Sequence, residues 1–89
     1  MMEYKNENEN KSIEHVLVHR FEEELEDACE YAHLAHEHPE YEKDFLAIGR
    51  EEVTHAHHLF TLLRQHGHEL SDEHEAKWHR VLRKYGFEK

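Results

Sequence analysis

Glu24, Glu52 and His55 are the residues whose types and spacing point to chemistry. Glu52 and His55 form a Glu-x-x-His pair, which on a helix puts a carboxylate and an imidazole on one face, one turn apart. Such pairs arise by chance in a chain with 18 Glu and 12 His, and two occur, at Glu30/His33 and Glu52/His55. Only the second lies on an apolar stripe. Glu24 interrupts a similar stripe earlier in the chain. A carboxylate at a core position is costly unless something binds it. Two carboxylates and one imidazole per chain, doubled by a two-fold axis, would supply four carboxylates and two imidazoles. Mixed oxygen and imidazole donors suit iron or manganese better than a structural zinc. The competing reading is a pair of weakly amphipathic helices with solvated charge.

The elements that must position these residues are helical. No Gly or Pro occurs between Ile13 and Glu37, and the spacing predicts a helix of about seven turns there, capped by Ser12. Its expected inward stripe is Leu17, Phe21, Glu24, Ala28, Tyr31 and Ala35. His38-Pro39 breaks it, and Pro39 suits the start of a second helix running from about Glu40 to His66. Gly67 stops that helix as a C′ glycine. Its expected stripe is Phe45, Ile48, Glu52, His55, Leu59 and Leu62, with Gly49 inside it as either a close contact or a kink. Ser71 caps a third helix from Asp72 to Tyr85, which Gly86 ends. With the turn near Pro39, Glu24 falls level with the stretch between Glu52 and His55. Each seam is narrow, so the hairpin has an open side that a second copy can close. The fold class expected is all-α: an antiparallel two-helix hairpin plus a short C-terminal helix, dimerising into a four-helix bundle. Residues 1–11 read as a loose tail and 12–89 as a single domain.

Composition narrows the function classes. The 89 residues carry 21 Asp+Glu against 11 Lys+Arg, a net charge of −10. That balance argues against nucleic acid and for cations. No apolar run is long enough to span a membrane, and the polar N-terminus is not a secretory signal, so a cytoplasmic protein is expected. The single cysteine, Cys29, excludes an intramolecular disulfide framework.

Glu23-Glu24-Leu25-Glu26, then Tyr31, then Arg50-Glu51-Glu52-Val53-Thr54-His55-Ala56 resembles, in order, the motif blocks of the encapsulated ferritins, the half-length branch of the ferritin-like superfamily. The resemblance spans Phe21–Gly67. It implies a ferritin-like bundle and ferroxidase activity, oxidising Fe(II) to Fe(III) for iron storage or detoxification. It further implies two iron ions per dimer, with Mn, Zn or Ca as substitutes. Glu24 would be a terminal ligand, Glu52 a bridging carboxylate, His55 the nitrogen ligand, and Tyr31 a catalytic neighbour. Rings of dimers and a location inside a protein nanocompartment are also implied. The ending Tyr85-Gly86-Phe87-Glu88-Lys89 departs from the family's apolar tail that addresses an encapsulin shell.

Two alternatives stand beside this reading. One is a rubrerythrin-like di-iron peroxidase served by an external electron donor. The other is a non-catalytic, His-rich metal-binding or pH-responsive oligomer. His33, His36, His38, His57, His66 and His68 read as surface residues. Glu51 reads as a residue that steers ions, Trp78 and Tyr85 as packing residues, and Cys29 as a small buried one.

Overall fold

The computed structural model describes residues 2–88, with side chains from 13 to 88, and is entirely helical over that range apart from turns. Helix α1 covers Met2–Glu37, α2 covers Glu42–Gln65 and α3 covers Asp72–Lys84. Helical backbone in α1 therefore begins ahead of the start expected at Ile13. The side chains of the expected tail Met1–Lys11 and of the Ser12 cap lie outside the described residues.

The hairpin turn follows from Pro39. His38 leaves the helical region (φ −127°, ψ 75°), as a residue preceding proline tends to. A 3₁₀ turn over Pro39–Tyr41 then delays α2 to Glu42, two residues later than expected. Gly67 stops α2 with φ 76°. The N–H of His68 donates to the Leu63 carbonyl and that of Gly67 to Arg64, the paired bonds of a Schellman ending. Gly86 ends α3 in the same way, with Phe87 N–H on the Leu82 carbonyl. Ser71 Oγ caps α3 by accepting from His74 N–H.

The core forms where all three helices meet. Phe21, Leu25, Ala28 and Ala32 of α1 face Val53, Ala56 and Leu63 of α2, and Trp78, Val81 and Tyr85 of α3 close one side. Trp78 meets Phe21 edge-on at 5.5 Å and Phe60 at 5.9 Å. Trp78 and Tyr85 are thus packing residues, as expected. Cys29 is only half-buried against this core.

The expected inward stripes need correction. On α1, Phe21, Ala28 and Ala35 are buried, but Leu17, Glu24 and Tyr31 sit on the flank and are half-buried. On α2 none of the six expected residues is buried. The buried row is Gly49, Val53, Ala56 and Leu63, one position over. The reason is α3. It docks on one flank of the hairpin, tied to α1 by His74 Nε2 to Glu22 Oε2 at 2.6 Å and Lys77 Nζ to Glu26 Oε2 at 3.8 Å. The core centre shifts toward that flank. The second apolar row of α2 is left on the other, where Ile48 and Leu62 remain 38 % and 41 % exposed.

Candidate metal centre

Glu24 lies two positions from both Glu22 and Glu26, so it projects on the side of α1 turned away from α3. Glu52 borders the buried row of α2, one position before Val53, and is half-buried. The antiparallel hairpin brings the two carboxylates level, and His55, one turn after Glu52, joins them. Ligand atoms of Glu24, Glu52 and His55 all lie within 4.8 Å of one another, an arrangement able to hold a metal ion. His55 Nδ1 is 3.1 Å from Glu52 Oε1 and 3.6 Å from Glu24 Oε1. In its Nδ1–H tautomer the ring donates to Glu52 and leaves Glu24 unserved.

Glu24 Oε1 is buried at the atomic level and makes no hydrogen bond. An ionised oxygen in that position loses hydration with nothing in return. Burial therefore pushes the Glu24 carboxyl above the usual carboxylate range, and the adjacent Glu52 carboxylate adds to the rise. His55 acts in the opposite sense but does not cancel it. The group is open on one side only: the Glu24 and Glu52 side chains are 21 % and 20 % exposed, whereas His55 is 58 % exposed. Two hard oxygen ligands and an imidazole nitrogen are a fitting donor set for a borderline or hard divalent cation.

The other sequence candidates are placed elsewhere. Tyr31 packs its ring 6.2 Å from Phe45, two turns along α1 from Glu24. It makes no hydrogen bond among the described residues and is not joined to the Glu24 group. Glu51 is exposed beside Glu52. His33, His36, His38, His57, His58 and His66 are exposed, and His68 is half-buried 4.0 Å from Glu14.

Two charged residues flanking Glu24, Asp27 and Arg20, were not singled out in the sequence. Asp27 lies one turn beyond Glu24 on the open flank. Burial and then the negative charges of Glu52, Glu30, Glu23 and Glu26 push its carboxyl up. Arg20 lies one turn before Glu24, 3.1 Å from Glu23. Their signal was available as opposite charges on one helical face, but the expected stripe was centred between the flank and the core and passed both by.

No protein-family model, curated protein or solved structure matches this chain.

Proposed function

We propose that this chain is a ferritin-like ferroxidase whose di-iron site forms between two copies. The buried, unpartnered Oε1 of Glu24 carries the reading. That oxygen stands beside Glu52 and His55 on a face whose flanking residues, Ile48, Leu59 and Leu62, are apolar and uncovered or half-covered. Three donors do not complete the coordination of one iron. A second copy on the same face doubles the set to four carboxylates and two imidazoles, enough for two metals.

Fe(II) is the substrate. Two ferrous ions give two electrons to one O₂, which takes up two protons and leaves as hydrogen peroxide. Glu24 and Glu52 favour the ferric product, because hard anionic oxygens bind the higher charge more strongly. His55 holds the metal from the α2 side. The net charge of −10 raises the local concentration of cations around the protein. Glu51, exposed next to Glu52, is placed to pass ions inward.

Anaerobic Fe(II) titration followed by air, on wild type and Glu52→Ala, tests the reading with absorbance and native mass recorded together. Wild type should saturate at two iron ions per dimer and oxidise them faster than buffer does. Glu52→Ala should do neither. Equal oxidation by the two proteins would remove the ferroxidase assignment. Rapid turnover with hydrogen peroxide and none with O₂ would move the oxidant to peroxide at the same site.

A further inference from the structure

We infer that reciprocal ion pairs between Arg20 of one protomer and the partner's Asp27 fix the orientation in which two copies of this chain meet. The inference rests on the dimer reading above. Both residues lie on the open flank of α1, one on either side of Glu24. The point between Glu23 and Glu24 is equidistant from them, about 5 Å along the helix from each. That point is level with the middle of the Glu52–His55 turn, because the Tyr85 hydroxyl meets both Ala28 and Gly49 and the two helices run antiparallel from there.

A two-fold axis crossing the helices at this level lays α1 antiparallel on its own copy. Each Arg20 then faces the partner's Asp27. Helix α2 obeys the same symmetry. Ile48 and Leu59 are equidistant from the middle of the Glu52–His55 turn, and so are Phe45 and Leu62. Apolar residues meet apolar residues, and Glu52 meets the partner's His55. The face is therefore self-complementary about one level, which is what a two-fold interface between identical chains requires.

The other way to join two open faces is an axis running along the helices. It lays α1 on the partner's α2, so Arg20 of one copy and Asp27 of the other no longer meet, and that arrangement lacks the reciprocal pairing. Asp27 forms no ion pair among the described residues, and the charged groups acting on it are the carboxylates of Glu52, Glu30, Glu23 and Glu26. Arg20 is 64 % exposed and held only by Glu23, its neighbour on the same helix.

Sedimentation equilibrium of the full chain, anaerobic, with Fe(II) and without metal, tests the inference on Arg20→Asp, Asp27→Arg and the double swap. Both positions are exposed, and unchanged helical circular dichroism checks that the variants fold. Arg20→Asp alone sets Asp against Asp, and Asp27→Arg alone sets Arg against Arg. Each should weaken dimerisation about tenfold. An equimolar mixture of the two single variants should associate like wild type, because the heterodimer restores both attractions, and so should the double swap. Single variants that dimerise like a dimeric wild type, or a mixture no tighter than its components, would overturn the orientation. A wild type that stays monomeric with and without Fe(II) would remove the dimer reading itself.

Discussion

The hydroxyl of Tyr85 occupies the space that a side chain at position 49 would fill. A Cβ built on Gly49 overlaps the Tyr85 phenol, and the Tyr85 O–H donates to the Ala28 carbonyl across the α1–α2 contact. Gly49 is thus a close contact rather than a kink: it lets the end of α3 reach between the two long helices. Ala28 is one turn beyond Glu24 and Gly49 one turn before Glu52, so the same plug sets the helix spacing beside the candidate metal centre.

Gly49→Ala should therefore destabilise the protein. Within a helix, alanine ordinarily gains about 1 kcal/mol over glycine. Here the buried ring of Tyr85 has nowhere to retreat, and overpacking should outweigh that gain for a net loss of about 2 kcal/mol. The urea midpoint reads the result. An unchanged or raised midpoint would mean that α3 does not seat Tyr85 against Gly49.

The same phenol predicts an alkaline limit. Burial pushes Tyr85 up to about 12 from its ordinary 10.0. The folded state thus holds the proton more tightly than the unfolded state does. Stability from this group is full below pH 10 and falls as pH rises from 10 to about 12. Tyr85→Phe should lose about 1 kcal/mol at neutral pH with its hydrogen bond. It should also lose stability less steeply than wild type over the alkaline range. Parallel curves for the two proteins in that range would contradict the burial of the hydroxyl.

How much of this was legible in the sequence depends on what each residue's neighbours are. Pro39, Gly67 and Gly86 act through their own backbone and Ser71 through its own hydroxyl; the last three end or cap a helix as read, while Pro39 opens a 3₁₀ turn ahead of α2. The level of Glu24 against Glu52 and His55 follows from the turn position and the helical rise, which are local quantities. The burial row of α2 does not follow from local quantities. Two apolar rows lie side by side on that helix, and only the docking of Trp78 and Val81 selects Val53, Ala56 and Leu63 over Ile48, Leu59 and Leu62. Gly49 was ambiguous for the same reason, because its partner is a tyrosine 36 positions away in sequence.

Glu24→Gln separates a binding residue from a structural one. In metal-free protein, Oε1 is buried without a partner beside the Glu52 carboxylate. Removing its charge should raise stability by about 1 kcal/mol. With Fe(II) or Zn(II) present the order should reverse, because wild type gains the binding energy and the variant does not. Thermal melts with and without metal give the four values needed. A substitution that lowers stability in the metal-free protein would make Glu24 an ordinary structural acid.

Leu62 and Leu63 are adjacent in sequence and should behave oppositely. Leu63 is fully buried in the three-helix core, whereas Leu62 is 41 % exposed on the open face beside Leu59. A charge at Leu63 removes a buried side chain and desolvates an anion, a loss of more than about 3 kcal/mol, so Leu63→Glu should fail to fold. Leu62→Glu leaves the core of the single chain intact and should keep the helical signal of wild type. In the proposed dimer the charge would face the partner's Phe45, so association should be lost. Circular dichroism and sedimentation on the two variants decide the matter. Leu62→Glu protein that is folded, and as strongly associated as wild type, would show that the second apolar row of α2 is not covered by a copy of this chain.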